Sequence, residues 1–170
     1  MPTYLSAHFS LEEFSAASTG TLSASHQANA NYFATRILEP VRRAMGFPIK
    51  ITSFYRAGDR LEHGAGNAID FQPCRDSANT PALFDERMEA MFQWLASYKP
   101  AEFGKLIHER THLHATVPGA QGRTGQVLRE PTEGNYVLAS IAPVAVALLP
   151  LLAIAGLLLW MSSSGKRRRR

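Results

Sequence analysis

The sequence predicts an α+β head with flanking helices and an antiparallel sheet, followed by one C-terminal transmembrane helix. Three observations predict it. Two segments carry apolar stripes at helical spacing, short alternating segments lie between and after them, and the stretch from Gly134 to Gly165 holds no charge.

The elements follow in chain order. Ser10-Leu11-Glu12-Glu13-Phe14 has the form of a capping box, with Ser10 as N-cap and Glu13 three residues on. Residues 25–45 read as a long helix through Tyr32, Phe33, Ile37, Leu38, Val41 and Met45, which Pro40 kinks or splits. Ile49 to Tyr55 alternates like a strand, and Asn67 to Phe71 reads as a short buried one. Pro81 to Ser97 is a second helix, its stripe formed by Leu83, Phe84, Met88, Met91, Phe92 and Leu95. Lys105 to Glu109 and His112 to Val117 then form a hairpin around Arg110-Thr111.

These elements place a domain at residues 1–117. Residues 118–135, rich in Gly, Gln, Thr and Arg without apolar periodicity, read as a linker. Residues 136–161 are almost wholly apolar and long enough to cross a hydrocarbon core of about 30 Å. Tyr136 and Trp160 would sit at the two interfaces, and Pro143 and Pro150 are kinks that membrane helices tolerate. Residues 162–170 are a basic tail.

Composition narrows the function classes. Of 170 residues, 45% are hydrophobic and 19% charged, which excludes a disordered chain or a coiled coil. The net charge of +4 comes from the tail: without Lys166 to Arg170, 13 basic residues face 14 acidic ones. A high isoelectric point therefore says nothing about a nucleic-acid groove on the head. One cysteine, Cys74, excludes a disulfide framework and a Cys-rich metal site, leaving the six histidines as the metal ligands to consider. No G-x-S-x-G elbow and no phosphate-binding glycine loop is present.

The chemistry concentrates between residues 56 and 114. His63 lies before the Asn67–Phe71 strand and Asp70 within it, and the small residues Gly64, Ala65, Gly66 and Ala68 permit the loop to fold back. Imidazole nitrogen and carboxylate oxygen are zinc donors, and a catalytic zinc needs a third protein ligand and an open position. In a two-residue-turn hairpin Glu109 pairs with His112 and Ile107 with His114, so Glu109, His112 and His114 project from one side. One of the histidines would bind the metal while the glutamate holds an attacking water.

These residues also carry a resemblance. The head resembles the zinc D-Ala-D-Ala carboxypeptidases and L-Ala-D-Glu endopeptidases of peptidase family M15, particularly the phage-type branch with the Hedgehog/DD-peptidase fold. The matching pieces are His8 to Phe14, Ile37 to Arg42, Ile51 to Arg56, the H-x-x-G-x-A-x-D stretch from His63 to Asp70, and Leu113-His114-Ala115. Together they span roughly residues 8 to 117. The resemblance implies that His63, Asp70 and His114 bind zinc, that Arg56 contacts a substrate carbonyl or carboxylate, and that Glu109 is the catalytic base. His112 stands where the family usually has an aromatic residue, and Thr111 where some branches hold the acidic base. His112 is open to three roles: a group supporting a ligand, a transition-state donor, or a substitute ligand.

The expected protein is thus a membrane-anchored zinc peptidase acting on peptidoglycan stem peptides or cross-links, serving a virus to reach or lyse its host, in a virion membrane or the host envelope. The tail from Lys166 to Arg170 would touch anionic lipid or, weakly, nucleic acid. A rival reading keeps the fold without catalysis, as a peptidoglycan-binding or structural virion or envelope protein. Thr111 and His112 favour the rival; the set His63, Asp70 and His114 opposes it.

Overall fold

A computed structural model of the chain describes residues 1–75 and 80–139. These form an α+β unit with a six-stranded mixed sheet and helices on one face. Helix α1 (Leu11–Ala16) starts at the expected capping box: Ser10 Oγ accepts from the Glu13 N–H, and Glu13 Oε2 accepts from the Ser10 N–H at 2.7 Å.

The long helical segment holds together through Pro40 by a local change of ladder. α2 (Ala24–Tyr32) continues into a π-helical stretch (Phe33–Leu38) and then α3 (Glu39–Met45). Proline lacks an N–H, and its ring collides with the carbonyl one turn back. Widening the preceding turns removes that conflict, and the Glu39 N–H reaches Ala34 O, five residues back. Phe33, Ala34, Ile37, Leu38 and Val41 stay fully buried along this segment. Gly46, at φ +73°, closes α3 in the left-handed conformation.

Glu39 has a second role in this segment. Its buried carboxylate accepts from Ser6 Oγ at 3.0 Å, from the His8 N–H at 3.2 Å and from Arg43 Nε at 2.8 Å. Burial opposes its ionisation, but the hydrogen bonds from Arg43, His8 and Ser6 win and bring its pKa down to about 2. The N-terminal segment is thereby tied to the helix.

The strands are β1 (Ile49–Ser53), β2 (Ala68–Pro73), β3 (Lys105–His108), β4 (Leu113–Thr116), β5 (Gln126–Thr132) and β6 (Asn135–Leu138), in sheet order β1-β2-β4-β3-β5-β6. Helix α4 (Pro81–Tyr98) carries the expected stripe, with Phe84, Met88, Met91, Phe92 and Leu95 buried. One cross-strand row, Ile69, Ala115, Leu106 and Val127, faces the helices and is buried at every position. The opposite face carries the polar residues described below.

Three expectations are corrected here. The sheet is not wholly antiparallel, because β5 runs parallel to β3. Residues 118–135 are not a linker: they contain β5, which places Val127 in the core and pairs Arg129 with Glu89 of α4. Gly-, Gln- and Thr-rich composition hid the strand because only one of its faces is buried. Residues 136–138 belong to β6, so Tyr136 lies on a strand rather than at the start of a helix. Among the described residues no helix is long and apolar enough to cross a membrane. The rest of the expected transmembrane segment, 140–161, and the basic tail, 162–170, lie outside the described residues.

Candidate metal centre

The site is built where β2 and β4 pair. Asp70 lies directly opposite His114, and His114 opposite Ile107 of β3. The hairpin register continues to the Glu109 N–H, which bonds His112 O at 3.0 Å, so Glu109, His112 and His114 share a side as their spacing requires.

His63 arrives from the loop before β2. Gly64 packs so closely that a Cβ there would lie 1.7 Å from Asp59 O, and Gly66 takes a left-handed φ of +65° beneath the His26 ring. Only glycine fits both positions. The loop is further fixed by Arg56 N–H to His63 O at 3.1 Å and by Asn29 Nδ2 to Asn67 Oδ1 at 2.9 Å.

His63, Asp70 and His114 are all buried, and their ligating atoms lie within 4.8 Å of one another. Asp70 Oδ1 is the meeting point, 3.2 Å from His63 Nε2 and 2.8 Å from His114 Nδ1. The other ring nitrogen of His63, Nδ1, lies 2.6 Å from Phe54 O. A metal at the cluster would take the Nε2 lone pair, with the proton on Nδ1 kept for that carbonyl. This is a buried His-Asp-His group able to hold a metal ion.

A bulge in β1 supplies the support behind Asp70. The register steps from Ile51 opposite Phe71 to Ser53 opposite Asp70, with Thr52 inserted. Ser53 Oγ accepts from Arg56 Nε at 2.9 Å, and Arg56 Nη2 donates to Asp70 Oδ2 at 2.7 Å. Arg56 therefore grips the carboxylate oxygen that the histidines leave free. Burial opposes the charge on Asp70, yet hydrogen bonds from His114 and His63 hold its carboxyl well below the usual range.

Glu109 and His112 form the neighbouring pair. His112 Nε2 is 3.0 Å from Glu109 Oε2 and 3.6 Å from Asp70 Oδ1, so the imidazole sits between the cluster and the glutamate. Burial disfavours both charges, but the contact wins in each. Glu109 is lowered by the His112 hydrogen bond, and His112 is raised by Glu109 and then by Asp70.

All six residues singled out in the sequence border one cleft of about 430 Å³. Among the other residues that line it, Lys105, Arg123, Leu128 and Tyr136 carried no site signal in the sequence. Lys105 Nζ pairs with Glu62 Oε1 at 2.7 Å, and the Tyr136 phenol is pushed up by burial and by the carboxylates of Glu109, Glu130 and Asp70. Two of these residues sit in the segment read as a linker, and Tyr136 was absorbed by the apolar run after it. His108, by contrast, faces the helices, against Phe92 and Glu89.

No family model, curated protein or solved structure matches the chain. What the chain presents is an α+β fold with a buried group that could bind a metal, set in an open cleft.

Proposed function

We propose that this chain is a membrane-anchored zinc peptidase that hydrolyses peptide bonds of peptidoglycan stem peptides, related to peptidase family M15. The observation that carries the reading is the meeting of His63, Asp70 and His114, whose ligand atoms lie within 4.8 Å of one another, with the Glu109 carboxylate one imidazole away. Two imidazole nitrogens and a carboxylate oxygen suit zinc and leave a fourth position for water or substrate. The carbonyl of Phe54 behind His63 and the guanidinium behind Asp70 are the outer partners that orient such ligands.

Zinc held there supplies Lewis-acid chemistry, lowering the pKa of water and polarising a peptide carbonyl. The chain's own groups do the rest. Glu109, held ionised, takes a proton at a carboxylate oxygen from the attacking water and passes it to the leaving amine. His112 anchors Glu109 and, when protonated, offers positive charge beside the oxygen on which negative charge develops. Arg56, half-exposed at the cleft wall, keeps Asp70 aligned and is open to a substrate carbonyl or carboxylate.

Residues 140–161 supply the anchor. At about 1.5 Å per residue a helix of this length spans about 33 Å, enough for a hydrocarbon core. Lys166 to Arg170 contact anionic lipid, in a virion membrane or host envelope. The test is mass spectrometry of muropeptides after purified peptidoglycan meets the full chain in mild detergent, with and without a zinc chelator. New peptide ends that disappear with chelator support the reading. Intact stem peptides from several wall chemotypes, with zinc-loaded protein, refute it.

A further inference from the structure

A single row of paired residues crosses the sheet on the cleft side: Ser53, Asp70, His114, Ile107, Leu128 and Leu138. It begins among the metal-binding side chains and ends on β6, the sheet edge. There Tyr136 is 46%, Val137 45% and Leu138 79% exposed. Adjacent strands lie about 4.8 Å apart, so the three steps from His114 to Leu138 cover about 14 Å.

β6 ends at this edge. The Ala139 N–H bonds Val127 O at 3.1 Å, which holds the strand to the sheet up to that residue. The sequence then runs from Ser140 to Met161 without a charge. A residue spans at most about 3.5 Å, so Leu138 lies within about 7 Å of the first residue of that run. The polar ends of the cleft wall are sorted accordingly. Glu130 and Glu133 sit at the β5–β6 hairpin tip beside Arg110, whereas exposed Arg123 precedes β5 at the opposite end, where β6 stops.

We propose that β6 lies against a lipid bilayer at headgroup depth and that the candidate active cleft opens beside that surface. The inference rests on residues 140–161 being the membrane anchor. An edge strand has unpaired N–H and C=O groups, which hydrocarbon cannot satisfy but headgroups and their water can. Val137 and Leu138 supply apolar contact, Arg123 faces anionic phosphates, and the acidic hairpin tip points away from them. The cleft therefore meets peptide chains that come to the lipid surface, because Ala139, still hydrogen-bonded to the sheet, directly precedes the uncharged run.

The experiment uses the full chain in vesicles of phosphatidylethanolamine and phosphatidylglycerol. Nitroxide labels are placed through Val137→Cys, Leu138→Cys or Glu133→Cys, each with Cys74→Ser. Labels at 137 and 138 are expected to show a clearly higher ratio of oxygen to water-soluble nickel-chelate collisions than the label at 133, which should read as aqueous. Flotation with the vesicles while all three labels read as aqueous overturns the placement of β6 and leaves the anchor standing. Failure to float overturns both.

Hydroxyl-radical footprinting of the unmodified chain gives the second measurement, free of the cysteine substitution. Tyr136 and Leu138 are expected to be oxidised several-fold less than in a floated chain carrying a Gly-Ser spacer between Ala139 and Ser140. Equal oxidation in the two overturns the proposal.

Discussion

Arg56 Nη2 donates to Asp70 Oδ2 at 2.7 Å, on the carboxylate oxygen that neither His63 nor His114 contacts. The arginine thus acts on the candidate metal group through Asp70. Replacing Arg56 by Ala is expected to weaken zinc affinity about 10- to 100-fold, the usual effect of removing a partner of a metal ligand. Competition against a zinc-binding dye reads this directly. Unchanged affinity with impaired hydrolysis would confine Arg56 to substrate binding.

Glu109 is the group assigned to move protons. Glu109→Gln keeps the shape of the contact with His112 while removing the base. Zinc content and melting temperature should stay close to those of the parent, while hydrolysis falls about 10²- to 10⁴-fold. Product release measured alongside zinc content checks both halves of the expectation.

Glu39 gives the stability of the fold a pH dependence. Its folded pKa, down to about 2 from 4.5, lies below the unfolded value, so its contribution is complete above about pH 4.5 and is lost as pH falls toward 2. Because Arg43 and His8 are partly exposed, the contribution is taken as roughly 2 kcal/mol rather than the full shift. Glu39→Gln should lower stability by about that amount at pH 7 and by little at pH 2. Urea unfolding at the two pH values measures the difference.

The β5 strand makes a truncation informative. A chain ending at Val117 loses the strand paired to β3, the burial of Val127 and the ion pair between Arg129 and Glu89. Burying a valine alone contributes about 1.5 to 3 kcal/mol, so its Tm should fall by roughly 10 °C or more relative to residues 1–139. Calorimetry of the two fragments tests whether the domain extends past residue 117.

Much of the helical layer was legible in the sequence because its signals are local. Ser10 and Glu13 announce their own cap, and the α4 stripe repeats at helical spacing over several turns. The hairpin was legible too, since Ile107 opposite His114 follows from turn length alone. What was not legible depends on contacts between distant segments. Pro40 signalled a disturbance, but only the packing of both helical halves on one core makes a π-helical stretch preferable to a break. The parallel pairing of β5 with β3 joins segments about twenty residues apart, and nothing local in Gln126 to Thr132 names its partner. Tyr136 was read with the apolar run because hydropathy averages across a boundary that a hydrogen bond at Ala139 defines.

At the site, the residue types were legible and their division of labour was not. The sequence offered His112 and His114 two residues apart on one strand side. The structure brings His114 Nδ1 to 2.8 Å from Asp70 and places His112 Nε2 nearer to Glu109, at 3.0 Å, than to Asp70, at 3.6 Å. The β1 bulge that aims Arg56 at Asp70 had no signal in the sequence.

The most direct measurement of the central claim is the metal content of the purified full chain and of its His63→Ala, Asp70→Asn and His114→Ala variants, by mass spectrometry under native conditions. One zinc per chain in the parent, lost from each variant while His112→Ala retains it, is the result expected of a site built on His63, Asp70 and His114. A parent that takes up no zinc, or variants that all bind it as the parent does, would contradict the account.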